Sequence, residues 1–199
     1  AAHHSQSLES LWTHFPGLYV VMPSTPFDAK GLLKASIRDD NPVMFIEHKM
    51  LYNTKGPVPE DDYLIPFGVA DIKREGCDLT LVTYSRMVLR ALEVAEILAQ
   101  EGIEVEVIDL RTLKPLDIDT VVESVKKTGR FVGLTEAYEN TSFINEVMAQ
   151  VNENAFDYLD APMVRVAAAN VPIPRAENLE DLAIPNVARV VAACREVMS

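Results

Sequence analysis

The alternation of short apolar runs with helix-period segments is the feature that most limits the folds open to this 199-residue chain. Residues 18–22 (Leu-Tyr-Val-Val-Met) and 43–46 (Val-Met-Phe-Ile) are continuous runs typical of strands buried on both faces. Between them, Thr25 and Pro26 indicate a helix start, because a capping hydroxyl precedes proline at the first helical position. Strand, helix and strand with short connections predict a right-handed crossover in a parallel sheet.

The same alternation resumes after residue 77 and continues to the end of the chain. Ser85 is placed to cap the first helix of this region, and Gly102 marks its end. The predicted strands are 79–83, 105–110, 131–134 and 163–166, and the later predicted helices are 118–127, 142–152 and 184–198. The fold class predicted for this region is an open α/β sheet.

The stretch between the two alternating regions, from about Tyr52 to Cys77, shows no sustained period. It contains Gly-Pro-Val-Pro at 56–59, an acidic run at 60–62 and a Pro-Phe-Gly turn at 66–68. We therefore expect an interdomain linker. The predicted division is a first domain at 1–57, a linker at 58–77 and a second domain at 78–199.

The composition excludes several classes of protein. Lys and Arg number 18 against 30 Asp and Glu, a formal net charge of −12, so we expect no face that binds nucleic acid. No apolar run approaches the roughly 20 residues of a membrane helix, and the N-terminal residues do not resemble a signal peptide. Two distant cysteines, Cys77 and Cys194, suit a reducing compartment. These features predict a cytoplasmic protein that binds neither nucleic acid nor membranes.

Motifs that carry chemistry are few. The chain has no G-x-G-x-x-G, P-loop, G-x-S-x-G or H-E-x-x-H motif. Its four histidines are His3, His4, His14 and His48. Taken alone, the adjacent pair His3-His4 favours a loop or a residual tag over a catalytic site, because histidine is a common but nonspecific catalytic residue.

Ordered blocks along the whole chain resemble one family. They include His-Ser-Gln-Ser-Leu-Glu at 4–9, Val-Val-Met-Pro-Ser-Thr-Pro at 20–26, Glu-His-Lys-Met-Leu-Tyr at 47–52, Val-Ile-Asp-Leu-Arg-Thr-Leu-Lys-Pro-Leu-Asp at 107–117, Leu-Asp-Ala-Pro at 159–162 and Val-Pro-Ile-Pro at 171–174. The chain closely resembles the beta subunit of thiamine-diphosphate-dependent 2-oxo acid dehydrogenases, and the acetoin and pyruvate dehydrogenase versions look nearest.

This resemblance implies a domain organisation and a set of partners. Residues 1–57 correspond to the C-terminal part of a thiamine-diphosphate pyrimidine-binding domain, and residues 78–199 to a transketolase C-terminal domain. The half-domain with the glutamate that activates the cofactor would precede Ala1, so we assign no cofactor-binding residue in this chain. Thiamine diphosphate with Mg²⁺ is expected in a heterotetramer with an alpha subunit and a second beta subunit, and this fragment is expected to be inactive alone.

The resemblance also assigns His4 as the active-site histidine, because it precedes Ser-Gln. An imidazole near the thiazolium can donate a hydrogen bond to substrate oxygen, or move a proton during acyl transfer to the lipoyl group. His3 falls where relatives vary, and His14 and His48 are expected to pack or cap.

Two further sites follow from the resemblance, each with a simpler alternative. Ser36, Asp39 and Asn41 match positions where backbone carbonyls hold a monovalent cation, usually K⁺. The alternative is a helix stop followed by a solvated acidic turn. Asp160 matches a position that docks the basic subunit-binding domain of the acyltransferase core, and the alternative is an ordinary turn residue.

One loop departs from the family pattern. Relatives often carry Gly-Gly-Phe-Gly after the strand that ends at Glu136-Ala137, whereas this chain has Glu-Asn-Thr-Ser-Phe at 139–143. The loop therefore lacks the backbone freedom of glycine.

The functional hypothesis is a beta-subunit portion of an enzyme that cleaves acetoin or pyruvate and transfers the acyl group to lipoamide. A stand-alone assembly or interaction module and another transketolase-like carbon transferase are the alternatives. Acetoin, pyruvate and branched-chain oxo acids are not distinguished as substrates by the sequence.

Overall fold

The computed structural model describes residues 3–199, which form two β-sheets with helices packed against them. The first elements are α1 (Glu9–Thr13), β1 (Tyr19–Val21), α2 (Pro26–Arg38), β2 (Val43–Phe45) and a 3-10 helix at Lys49–Leu51. The later elements are β3 (Asp71–Arg74), β4 (Leu79–Thr83), α3 (Met87–Ala99), β5 (Val105–Asp109), β6 (Thr112–Lys114), α4 (Ile118–Thr128), β7 (Phe131–Tyr138), α5 (Ile144–Ala155), a 3-10 helix at Phe156–Tyr158, β8 (Val164–Ala168), α6 (Glu177–Ala183) and α7 (Val187–Met198). The predicted α/β class is confirmed.

The first strand-helix-strand unit forms as predicted. β1 and β2 pair in parallel, with Tyr19 beside Val43. The helix between them, α2, is capped by Thr25, whose side-chain oxygen accepts a hydrogen bond from the Asp28 N–H at 3.1 Å, and Pro26 occupies its first position. Asp28 also places negative charge at the positive end of the helix dipole.

The second sheet has the strand order β3-β5-β4-β7-β8. The strands β5, β4, β7 and β8 are parallel, and β3 is an antiparallel edge strand. From β4 the chain passes to β5 on one side and then through α4 to β7 on the other side. The order therefore reverses between β4 and β7, and open α/β sheets bind ligands in the crevice at the carboxyl ends of such a strand pair.

Two strands arise where no strand was predicted. β3 lies inside the expected linker, and its sequence Asp-Ile-Lys-Arg has a single apolar residue, so it lacks the pattern of a buried strand. β6 pairs antiparallel with β1 and so joins the second region of the chain to the sheet of the first. Both strands depend on a partner distant in sequence.

Two helix boundaries also differ from the sequence expectations. Ser85 does not cap α3, because that helix begins at Met87 without a side-chain cap. The predicted C-terminal helix at 184–198 is α7, which begins three residues later at Val187, because Pro185 precedes it and the Asn186 side chain caps it by accepting from the Arg189 N–H at 3.0 Å. The helix before it, α6, was not predicted.

Apolar side chains cover both faces of the larger sheet. On one face, α4 and α5 pack over a cluster that includes Ile108, Phe131 and Ile144, and Val20 of β1 belongs to the same cluster. On the other face, α3 and α7 pack over a second cluster that includes Leu81. The shared cluster holds the two sheets against each other and fixes where their strand ends meet.

Candidate functional site

A polar cluster lies where the first region meets the carboxyl ends of β4 and β7. Tyr84 follows β4 and is 3% exposed, and its hydroxyl donates to Glu9 Oε1 of α1 at 2.9 Å. Thr135 Oγ1 of β7 lies 2.8 Å from the same hydroxyl. Burial raises the pKa of Glu9 above its usual value. A protonatable carboxyl is therefore enclosed beside the crevice where the strand order reverses.

A second set of polar side chains extends this cluster. His48 Nε2 lies 2.8 Å from Glu136 Oε2, and the Arg86 guanidinium donates to Glu136 Oε1 at 3.1 Å. Burial alone would raise the pKa of Glu136, but the hydrogen bond from His48 and the charge of Arg86 outweigh it and lower that pKa. Glu136 is thus held as a carboxylate between the His48 ring and the Arg86 guanidinium. His48 Nδ1 also accepts from the Met50 N–H at 3.1 Å, which is the capping role expected for it.

His4 is exposed and has a positive φ of 58°. Two residues later, Gln6 Oε1 accepts a hydrogen bond from the Tyr138 hydroxyl at 3.2 Å, at the end of β7. The His-Ser-Gln segment is therefore attached to the carboxyl end of the larger sheet. His14 packs edge-to-face against Phe15 instead, with ring centroids 5.4 Å apart.

Sequence patterns did not indicate five members of this site, namely Glu9, Tyr84, Arg86, Thr135 and Glu136. One signal was available for three of them. Tyr84, Arg86 and Glu136 come at or after the ends of predicted parallel strands, where functional side chains of open α/β sheets collect. The partners from α1 and the 3-10 helix at Lys49–Leu51 had no such signal.

The three residues expected to hold a cation lie together at the end of α2. Ser36 Oγ donates to the Leu32 carbonyl at 2.8 Å, and Asp39 Oδ1 accepts from both the N–H and the side-chain amide of Asn41 at 2.8 Å. These side-chain oxygens are used inside the turn, so a cation would be held by backbone carbonyls. Within residues 3–199, no group of three or more His, Cys, Asp or Glu side chains could hold a metal.

Asp160 lies far from this turn, in the segment before β8. Its side chain is 66% exposed and lies 3.8 Å from the Arg130 guanidinium, while its backbone N–H donates to the Gly129 carbonyl at 2.8 Å. The carboxylate packs so closely over Gly129 that a Cβ there would overlap it. Asp160 therefore serves the local turn and also presents a charge to solvent.

A buried ionic cluster joins the two regions beside the site. Lys73 Nζ of β3 lies 2.7 Å from Asp28 and 3.6 Å from Asp109, and Arg111 pairs with Asp28 at 2.7 Å. Ser24 Oγ contacts both Asp28 Oδ2 and Asp109 Oδ2. Burial raises the pKa of Asp109 to about 6, while for Asp28 the hydrogen bonds from Lys73 and other donors outweigh burial and lower the pKa.

A cleft of about 570 Å³ opens between α1, β6 and the loop after β7. The loop residues that replace the glycine-rich turn, 140–143, form one wall, and His14 and Lys114 lie on its lining as well. Lys114 Nζ donates to the carbonyl oxygens of Thr13 and Phe15, both at 3.0 Å. In this loop Ser142 Oγ accepts from the Ile144 N–H at 3.0 Å, so the loop is held by side-chain bonds in place of glycine.

Two family models match the chain in the order of its two regions. The model described as "Transketolase, C-terminal domain" matches residues 68–190, and "Transketolase, pyrimidine binding domain" matches residues 1–55. The chain belongs to the transketolase C-terminal domain family. The start of that match at residue 68 includes β3, which the sequence pattern had assigned to the linker.

Similar proteins carry beta-subunit names. The chain is 54% identical over 198 residues to "Acetoin:2,6-dichlorophenolindophenol oxidoreductase subunit beta" of Cupriavidus necator, covering 100% of this chain and 59% of the relative. It is 52% identical to "Pyruvate dehydrogenase E1 component subunit beta" of Rhizobium meliloti, covering 99% and 43%, and 47% identical to "2-oxoisovalerate dehydrogenase subunit beta" of Bacillus subtilis, covering 99% and 61%. The family resemblance expected from the sequence is confirmed.

A solved structure supports the same fold for this transketolase family member. "Split gene transketolase, inactive beta4 tetramer" aligns with a TM-score of 0.77 and 25% identity, covering 96% of this chain and 60% of that chain. The chain thus spans between 43% and 61% of the length of these four proteins. No helix among residues 3–199 is long and apolar enough to cross a membrane.

Proposed function

We propose that this chain is a beta-subunit portion of a thiamine-diphosphate-dependent 2-oxo acid dehydrogenase component. With an alpha subunit and a second beta subunit, it would cleave acetoin or pyruvate and transfer the acyl group to lipoamide of a multienzyme complex. The observation that carries this proposal is 47–54% identity over essentially the whole chain to proteins named as such beta subunits. Cys77 and Cys194 are both free thiols, which agrees with a cytoplasmic location.

The cofactor is assigned to the assembled enzyme rather than to this chain alone. When bound, thiamine diphosphate would supply the nucleophilic carbon and the electron sink for cleavage of the substrate. The proposal places Mg²⁺ and the diphosphate on the partner subunit, since no residue of this chain is assigned to either group. What this chain contributes is the His4 segment at the carboxyl ends of β4 and β7, where open α/β sheets bind ligands.

His4 is the proposed catalytic residue of this chain. Its exposed imidazole can donate a hydrogen bond to a substrate oxygen on which negative charge develops, or carry a proton to the departing group during acyl transfer. The neighbouring Glu136 and Glu9 are engaged with His48 and Tyr84, so they are not free to take this role.

Calorimetric titration of thiamine diphosphate and Mg²⁺ into the 199-residue chain tests the assignment of the cofactor. We expect no binding tighter than about 10 μM, against tight binding by the assembled heterotetramer as the positive control. A dissociation constant below that value for the chain alone would show that it contains its own cofactor site.

Substitution of His4 in the assembled enzyme tests the catalytic assignment. His4→Ala should lower turnover with a lipoyl substrate by about 10²- to 10⁴-fold, the usual contribution of a positioned proton donor or acceptor. His14→Ala is the matched control, because His14 packs against Phe15. Unchanged turnover in His4→Ala would remove this role from His4.

A monovalent cation at the end of α2 is the second part of the proposal. The backbone carbonyls of Ser36 in the last turn of α2, of Asp39 at its C-cap and of Asn41 just beyond it would hold K⁺, because the unpaired carbonyls of a helix end carry partial negative charge. At a K⁺ concentration 100 times the dissociation constant, binding would add about 2.7 kcal/mol of stability. Thermal unfolding in KCl and in tetramethylammonium chloride at equal ionic strength measures this, and identical midpoints would contradict the site.

Docking of the acyltransferase core is the third part. The exposed charge of Asp160 on a chain of net charge −12 would attract a basic subunit-binding domain. Asp160→Asn keeps the backbone bond to Gly129 and removes the charge, and it should weaken binding about two- to five-fold in surface plasmon resonance, as expected for an exposed ion pair. Glu153→Ala, an exposed acidic residue of α5, is the control, and equal affinity in Asp160→Asn would favour the turn role alone.

A further inference from the structure

The segment that carries His4 has little local structure to hold it in place. His4 has a φ of 58°, in the left-handed region that few residues other than glycine adopt. The helix that follows, α1, has five residues and no side-chain hydrogen bond at its N-terminus. Because so short a helix is not stable by itself, tertiary contacts must fix the position of this segment.

Two tyrosine hydroxyls at neighbouring strand ends provide such contacts. The Tyr138 hydroxyl, at the end of β7, donates to Gln6 Oε1 at 3.2 Å. The Tyr84 hydroxyl, directly after β4, donates to Glu9 Oε1 at 2.9 Å. The two acceptors lie two and five residues after His4, and the two donors flank the point where the strand order reverses.

The buried contact has a fixed hydrogen-bond direction. Tyr84 has one hydroxyl proton, which goes to Glu9, so Thr135 must donate its own proton to the Tyr84 oxygen at 2.8 Å. Thr135 Oγ1 is oriented in turn by the backbone N–H of Ala137, which donates to it at 3.1 Å. Glu9 and Tyr84 are 2% and 3% exposed, so water does not compete for these bonds.

We propose that Tyr84 and Tyr138 are positioning residues that hold the segment carrying His4 at the carboxyl ends of β4 and β7. They act on His4 through Glu9 and Gln6 and do not touch the reacting atoms. The role in catalysis rests on the function proposed for His4, whereas the anchoring itself rests only on the contacts described.

Nuclear magnetic resonance on the 199-residue chain tests the anchoring without any activity measurement. Tyr138→Phe and Glu9→Leu each remove one hydrogen bond, and each should shift the His4 imidazole resonances and lower the backbone order parameter of Ser5 from about 0.85 to below 0.6. Glu9→Gln retains an acceptor for the Tyr84 hydroxyl and should behave like the wild type.

Tyr52→Phe is the matched control for loss of a tyrosine hydroxyl. The Tyr52 hydroxyl donates to Glu47 at 3.0 Å across the 3-10 helix at Lys49–Leu51, and both side chains are exposed. Unchanged His4 resonances and Ser5 order in both Tyr138→Phe and Glu9→Leu would overturn the proposal. Thermal unfolding of each variant identifies any that fail to fold, and the half-buried Tyr138 keeps the test available if the buried Glu9 variant does not fold.

Turnover of the assembled enzyme then separates this proposal from the proposed function. Tyr138→Phe should lower kcat about five-fold with little change in KM, since one hydrogen bond of ordinary strength orients the group. If His4→Ala abolishes turnover while anchor variants with a mobile segment remain fully active, the positioning role is wrong and the function of His4 stands. If His4→Ala is fully active, the proposed function fails, and the resonance data still decide whether the tyrosines anchor the segment.

Discussion

The buried carboxyl of Asp109 makes a specific prediction about how stability depends on pH. Asp109 is fully buried, and its Oδ1 accepts a hydrogen bond from the Arg111 N–H at 3.0 Å. Ser24 has one hydroxyl proton but contacts carboxylate oxygens of both Asp28 and Asp109. If Ser24 donates to Asp28, the contact with Asp109 is a hydrogen bond only when Asp109 carries a proton. Asp109→Asn supplies such a donor permanently.

The magnitude follows from the pKa of this carboxyl. Burial raises the pKa of Asp109 from 3.8 to about 6, so the folded state binds a proton that the unfolded state releases between these two pH values. The stability contributed by Asp109 is therefore greatest at low pH and falls as pH rises toward 6. Above pH 6 the ionised carboxylate lowers the free energy of unfolding by about 3 kcal/mol relative to the protonated form.

Calorimetric unfolding of the wild type and Asp109→Asn between pH 4 and pH 8 measures this cost. Asp109→Asn should be more stable than the wild type at pH 7.5 by about 3 kcal/mol, or about 6–12 °C in Tm, and the difference should disappear toward pH 4. Asp28→Asn is the control of opposite sign, because the pKa of Asp28 is lowered and its charge stabilises the fold at neutral pH. A constant difference across this pH range, or a less stable Asp109→Asn at pH 7.5, would refute the reasoning.

Three further substitutions should reduce the free energy of unfolding in chemical denaturation followed by circular dichroism. Lys73→Met removes one of the two cations that contact Asp28 and leaves Arg111, so it should cost about 1–3 kcal/mol at pH 7, and wild-type stability would contradict the ionic cluster. Gly133→Ala in β7 places a Cβ against Ile144 of α5 and should cost about 1–3 kcal/mol. Wild-type stability would show that α5 moves away from the sheet without cost. Leu32→Ala, fully buried under the smaller sheet, should cost about 2–5 kcal/mol, and a smaller loss would show that the site collapses.

The strands buried on both faces were predictable because their signal is local. Residues 79–83 and 105–109 are rich in Leu, Val and Ile, and every residue in them is buried. The strands β3 and β6 carry no such run, and each forms because a distant strand offers free backbone groups. Sequence periodicity reports the environment of side chains, so it misses strands that are defined by backbone pairing at an edge.

The candidate site was predictable only in part, for a related reason. His4 was proposed through its place in a His-Ser-Gln block, and Gln6 of that block accepts a hydrogen bond from Tyr138 of β7. The contacts that build the cluster join residues far apart in sequence: Glu9 and Tyr84 are separated by 75 positions, and His48 and Glu136 by 88. Such pairs follow from sheet topology, which strand patterns alone do not determine.

The buried ionic cluster and the contact between Glu9 and Tyr84 lie at adjacent strand ends of the larger sheet. The contacts that hold the two regions of the chain together therefore also affect the geometry of the candidate site. Thr83 at the end of β4 pairs with Asp109 at the end of β5, so the buried ionic cluster and Tyr84 lie at neighbouring positions of one sheet edge. Each network bonds a segment of the first region to the second: Asp28 through Lys73, and Glu9 through Tyr84. Weakening the ionic cluster should therefore loosen the first region as a whole, whereas removal of a tyrosine hydroxyl should loosen only the segment that carries His4.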